Sequence, residues 1–162
     1  MSQAFVKETG TVRSDELPDR EISPHPNYVT AEGLALIEAR IKEFQREYAQ
    51  AQAAGDPERI DRPRLARTAR ELRYWTARRQ SAQLVPPGAD EGRVRFGSRV
   101  TLQGPGGERS YRIVGEDEAD PSRGSLSYVS PLARALAGKE EGDRVRTGAG
   151  EALREFEIVR VS

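Results

Sequence analysis

An α+β chain in two parts is what this sequence predicts: an N-terminal antiparallel helical (coiled-coil) hairpin, then a small, largely antiparallel sheet domain with one short helix. Three observations carry that expectation. Between residues 30 and 83, apolar residues recur at helical spacing in two runs split by Gly55-Asp56-Pro57. From Val94 onward they change to short β-rich runs bounded by Gly and Pro. Hydrophobic residues make up only 36% of the 162, against 32% charged, which suits a surface-rich shape better than one large core.

Taken in order, residues 1–28 are rich in Pro, Ser and charge and read as a flexible or extended tail with little to bury. His25, the single histidine, stands between Pro24 and Pro26 with no chemical partner in view. Thr30 is placed to N-cap a first helix, with Glu32 in its first turn. Leu34, Ile37, Ile41, Phe44, Tyr48 and Ala51 then step by three and four, the seam of one long helix ending near Ala54-Gly55. About 23 residues at 1.5 Å each give a rod of roughly 35 Å. Asp61 and Pro63 mark the start of a second helix, running to about Gln83, with Leu65, Ala69, Leu72 and Trp75 on its core face. Two such helices joined by a short turn pack antiparallel, and Phe44 and Trp75 read as seam residues.

Residues 85–93, around Pro86-Pro87-Gly88, read as a linker, leaving 94–162 as the second domain. Val94–Leu102 and Tyr111–Val114 read as strands joined by the turn Gly104-Pro105-Gly106-Gly107. No helix follows those glycines, so they are turn residues and not a dinucleotide fingerprint. Ser125–Val129 and Phe156–Val161 read as further strands, with a short helix opening at Pro131 under a Ser130 cap.

Chemistry is bounded first by what is missing. With no cysteine, disulfides, thiolate nucleophiles and Cys-ligated zinc are excluded. Acidic and basic residues balance at 26 each, so any electrostatic message is local. The N-terminus lacks the apolar run of a signal peptide and no membrane-length apolar window occurs, which points to a soluble, cytoplasmic protein. Asp117-Glu118-Ala119-Asp120 spells a helicase box, but no phosphate-binding loop accompanies it.

Two candidate sites remain. Between Arg59 and Arg79 eight arginines face Asp61 and Glu71, and Arg64, Arg67, Arg70, Arg73 and Arg78 fall off the apolar side of the second helix. Arginine is suited to bidentate contact with phosphate or carboxylate, so this stripe could meet RNA, DNA or an acidic protein wall. At the hairpin turn, Asp56, Glu58 and Asp61 are either turn and capping residues or carboxylates able to share a Mg²⁺ ion with substrate phosphates.

The segments V-R-F-G-S-R-V (94–100), I-V-G-E-D-E-A-D (113–120), S-P-L-A-R-A-L-A-G-K-E-E-G-D (130–143) and F-E-I-V-R-V (156–161) come in an order and spacing that resembles the C-terminal domain of the bacterial Gre factors, GreA and GreB. The preceding hairpin extends the resemblance over about residues 29–162. It implies an FKBP-like sheet domain that docks on RNA polymerase, with Asp117, Glu118, Ser130, Pro131 and Leu132 at the matching positions. It further implies a hairpin that enters the polymerase's secondary channel, where tip acids help the polymerase's own active site hydrolyse backtracked RNA.

Such a protein is an accessory factor and not itself an enzyme. It has no cofactor of its own beyond Mg²⁺ shared with the polymerase. The implied partners are RNA polymerase and, through Arg64, Arg67, Arg70 and Arg73, nascent RNA or DNA; the implied state is a monomer off the membrane. The family tip resembles G-D-x-x-E-N-A-x-Y, and Gly55-Asp56 matches its opening, which makes Asp56 the carried-over carboxylate. The E-N-A segment has no counterpart here: Glu58 sits one position early and Arg59 stands where the family acid would be. Both arms are also about one heptad short, removing on the order of 10 Å of reach. Transcript cleavage and simple occupancy of the channel are therefore both open.

Two other classes stay in view. The likeness to FK506-binding prolyl isomerases would need a pocket built from Phe96, Tyr111, Tyr128 and Phe156. A dimerising coiled-coil adaptor would use Leu34–Ala51 as its seam and leave Leu72 and Trp75 exposed.

Overall fold

The structure, a computed structural model, describes residues 17–53, 56–88 and 92–162. The first helix, α1, spans Ala31–Gln52. Thr30 caps it in extended conformation, its hydroxyl accepting from the Gly33 N–H at 3.0 Å. A short 3-10 turn, Pro57–Arg59, leads to helix α2, Arg62–Ser81, where Asp61 caps by accepting from the Arg64 N–H at 3.0 Å. Arg79 near the end of α2 reaches Glu38 near the start of α1 at 2.9 Å, as an antiparallel pair requires.

Ile37 is fully buried against Trp75 and Val29, with Leu34, Ile41 and Phe44 packed around them. The seam of α1 is thus covered by the chain's own α2, and Trp75 is buried where a one-helix dimer seam would have left it exposed. On α2 the fully buried positions besides Trp75 are Thr68 and Arg78, where sequence patterning places Ala69 and an exposed arginine. Both are polar residues that an apolar count passes over.

The segment read as a flexible tail is also part of the body from residue 17 onward; residues 1–16 of it lie outside the described residues. Tyr28–Val29 forms strand β1 and pairs in parallel with β2, Gln83–Leu84, directly after α2. Upstream, Arg20 meets Glu71 at 2.7 Å and Asp19 meets Arg73 at 2.5 Å. The segment has little apolar surface to bury, yet it carries charges that α2 complements.

The second part is a five-stranded sheet of β3 (Arg99–Gly104), β4 (Gly107–Val114), β5 (Ser125–Ser127), β6 (Arg144–Thr147) and β7 (Arg154–Val161), in the order β5-β4-β3-β7-β6. Within this sheet, among the described residues, only the β4–β5 pair is parallel. Gly104 pairs with Gly107 across the Pro105-Gly106 turn, and Gly107 has φ +96°, a backbone region that favours glycine. Residues 94–98, expected as strand, instead follow a single bridge from Arg93 to Glu140 and make a turn with Gly97 at φ +87°. Strand β6 carries little sequence signal, because Arg-Val-Arg-Thr offers one inward apolar residue between charges.

Helix α3, Pro131–Leu136, is capped by Ser130 and lays Ala133 and Leu136 on Val100, Leu102, Ile113, Val145 and Ile158. The chain is the α+β hairpin-plus-sheet architecture that its patterning predicts.

Candidate functional site

The two ends of the hairpin hold the candidate residues in different surroundings. At the base, Arg78 is only 1% exposed, and its Nε donates to Asp117 Oδ2 at 2.5 Å. Its Nη2 donates to Asn27 Oδ1 at 2.7 Å and lies 3.8 Å from Glu116. Tyr74, one turn before Arg78, donates its hydroxyl to the other Asp117 oxygen at 2.5 Å. Asn27 completes the ring by donating to the Arg78 carbonyl at 2.7 Å and to Ser81 Oγ at 3.1 Å. A buried guanidinium costs several kcal/mol to desolvate, and it is tolerated here because two acids and an amide oxygen face it. Burial first, and then the bond to Asp117, push the Tyr74 hydroxyl up to about 12, so it stays a donor across the physiological range.

Glu118 is tied in the same way. It accepts from the Thr30 hydroxyl at 2.5 Å, the hydroxyl that also caps α1. Gly33 leaves room for this carboxylate, since a Cβ there would collide with it. Gly115 similarly admits the Tyr28 carbonyl. The loop 115–118 after β4 therefore clasps the start of α1 and the end of α2.

Of the expected docking set, Asp117 and Glu118 are engaged inside the molecule. Ser130 caps α3 by accepting from the Ala133 N–H at 3.3 Å, Pro131 is exposed, and Leu132 is half-buried against the sheet core. The basic stripe is similarly divided. Arg67 is exposed, Arg64 and Arg70 are half-buried, and Arg73 is held by Asp19 and the Leu17 carbonyl. The Arg70 Nε is buried without a partner among the described residues. Arg78 is withdrawn from the stripe entirely.

At the tip, Asp56 caps the 3-10 turn by accepting from the Glu58 N–H at 3.0 Å. Its second oxygen stands 3.8 Å from Arg59 Nε, and both side chains are largely exposed. Asp61 is spent on capping α2. Gly55 lies outside the described residues. Among the described residues no three carboxylate or imidazole groups converge as a metal site. With one Asp56 oxygen capping and the other beside a cation, the tip does not fit a Mg²⁺ ion held by this chain alone.

The four rings considered for a prolyl-isomerase pocket are not gathered in one place. Phe96 and Tyr128 sit 5.7 Å apart in a cluster with Tyr28, closed by a bond from the Tyr128 hydroxyl to the Pro26 carbonyl. Tyr111 and Phe156 lie by the Gly104–Gly107 turn.

Sequence reasoning missed Asn27, Tyr74, Arg78 and Thr30 as members of the base. Tyr74 and Arg78 are four apart on one helix face, but their shared partner lies about 40 residues away, so no local spacing announces it.

Residues 89–162 match the family described as transcription elongation factor GreA/GreB, C-terminal domain. Over 131 residues the chain is 40% identical to the transcription elongation factor GreA of Alkalilimnicola ehrlichii, covering 78% of each protein. It is 35% identical over 156 residues to GreA of Neisseria meningitidis, covering 93% of this chain and 94% of that one. Among solved structures, a GreA/GreB factor from Nitrosomonas europaea aligns with a TM-score of 0.40 at 19% identity, over 83% of this chain and 98% of the other.

Proposed function

This chain belongs to the GreA/GreB family of transcription elongation factors, and from that membership we propose that it binds RNA polymerase and inserts its hairpin into the secondary channel, acting on paused or backtracked complexes. The observation that carries this reading is a hairpin anchored at its base to the family-matching domain and free at its tip. The 22 residues of α1 give an arm of about 33 Å. The arm's inner end is fixed by Arg78, Asp117 and Glu118, while Asp56, Glu58 and Arg59 project into solvent.

Docking on the polymerase falls to the exposed face around Pro131, with Ser130 and Leu132 shaping it, and Asp117 and Glu118 contribute by holding the loop beside it. Arg67, with Arg64 and Arg70, is the part of the stripe available to phosphates or an acidic channel wall. The protein works as a soluble cytoplasmic accessory factor, with the polymerase supplying the catalytic centre. Among the described residues no helix is long and apolar enough to cross a membrane.

The geometry of Asp56 favours occupancy of the channel over cleavage, because Arg59 offsets the one carboxylate that matches the family tip. A photo-crosslinking residue at position 58 tests the proposal. We expect it to capture RNA polymerase, and the capture to be lost when an authentic GreA protein is added in excess. No capture, with no competition at concentrations where GreA saturates the enzyme, would overturn it.

A further inference from the structure

We propose that residues 19–29 are a positioning strap that fixes the direction of the hairpin relative to the sheet domain. Along the strap, successive side chains bind the two parts in turn. Asp19 and Arg20 pair with Arg73 and Glu71 on α2, and the Arg20 guanidinium also lies 3.6 Å from the centre of the Tyr74 ring. Ser23 then crosses to the loop after β4, donating to Glu116 at 2.9 Å. The Pro26 carbonyl accepts from Tyr128 of the sheet domain. Asn27 returns to α2, where it bonds both the side chain and the carbonyl of Arg78. Tyr28 packs its ring at 6.0 Å from Phe96 and 5.3 Å from Tyr128, again on the sheet domain. Val29 closes the sequence in the β1–β2 pair, buried against Ile37 and Trp75.

The arrangement has a mechanical consequence. Besides the strap, the polar side-chain contacts between hairpin and sheet domain among the described residues are Asp117 on Arg78 and Tyr74, Glu116 on Arg78, Glu118 on Thr30, and Arg112 on Glu32 at 3.3 Å. These bonds all lie near one point of the hairpin base, and contacts clustered there act as a pivot. The strap adds attachments up α2 as far as Glu71 and across to Tyr128, so it braces the pivot on two sides. Asn27 is the key member: it is 4% exposed, and it is the strap residue that bonds the buried arginine. The strap is therefore a set of positioning residues for whatever the tip does. The strap is a property of the chain alone and does not depend on any contact with polymerase.

Because the chain has no cysteine, spin labels can be placed selectively. Gln45 on α1 and Gln103 on β3 are both exposed, and Q45C/Q103C reports the hairpin-to-sheet distance in the full chain by double electron–electron resonance. We expect one narrow distribution in the parent. R20A/N27A should leave the helix signal in circular dichroism intact and roughly double the width of the distribution. Asp56→Ala, at the tip, should leave it unchanged. Should loss of Asn27 compromise folding, Ser23→Ala removes one strap bond without touching the buried arginine and should broaden the distribution to a smaller extent. A parent distribution that is already broad, or strap variants as narrow as the parent, would overturn the proposal.

Discussion

The base and the tip of the hairpin are built from the same residue types, aspartate, glutamate and arginine, and hold them in opposite ways. At the base, Arg78 and Asp117 are 2% and 10% exposed in their side chains and lie 2.5 Å apart. At the tip, Arg59 and Asp56 are 83% and 51% exposed and 3.8 Å apart. A desolvated, multiply bonded pair is structure, because removing either partner strands a buried charge. An exposed pair contributes little to stability and stays available to an outside partner. The difference fits the proposed roles, geometry for the base and encounter for the tip.

The largest test of that contrast is Asp117→Ala. It leaves Arg78 buried without its main counter-charge, and we expect a loss of about 3–5 kcal/mol in urea unfolding. Asp56→Ala should cost about 1 kcal/mol or less in the same experiment, the ordinary cost of a lost cap on an exposed turn. If the two substitutions cost the same, the distinction between base and tip fails.

Tyr74→Phe sharpens the contrast through pH. Burial, and then the bond to Asp117, raise Tyr74 from 10.0 to about 12. Between those values an unfolded chain gives up the phenolic proton while the folded chain keeps it. The stabilisation is therefore complete below pH 10 and is lost as pH rises through this window. The parent should lose stability across that range in alkaline denaturant titrations, and Tyr74→Phe should start lower and decline less steeply.

The smallest expected effect is Arg59→Ala, within about 0.5 kcal/mol of the parent by thermal unfolding. A larger loss would mean that the tip pair is structural after all.

How much of this was legible in the sequence follows the same division. The α1 seam, both helix caps, the Gly104–Gly107 turn and the Ser130 cap are local patterns, and each lies where its spacing predicts. The capping role of Asp61 is also readable as turn chemistry, whereas Asp56, expected as the tip carboxylate, caps the 3-10 turn. Arg78 was not. On a helical wheel it belongs with the other arginines, and only Asp117 and Asn27, brought together from either side of the hairpin, make its burial affordable. The strap leaves no periodic trace because its attachments are ion pairs, hydrogen bonds and ring contacts to residues from 51 to 102 positions away. Strand β6 was hidden by its alternating arginines, which pair across to Glu155 and Glu157 on the exposed face.

The proposed function has the chain keep the family's grip and rigid arm while its tip occupies the channel without driving cleavage. The most direct measurement is RNA length in a stalled, backtracked elongation complex, with the parent protein and with Asp56→Ala, beside an authentic GreA protein. No shortened RNA is expected with either form, and suppression of GreA-dependent cleavage is expected with both. Shortened RNA that appears with the parent and disappears with Asp56→Ala would contradict it, by showing that the tip supplies a working carboxylate in spite of Arg59.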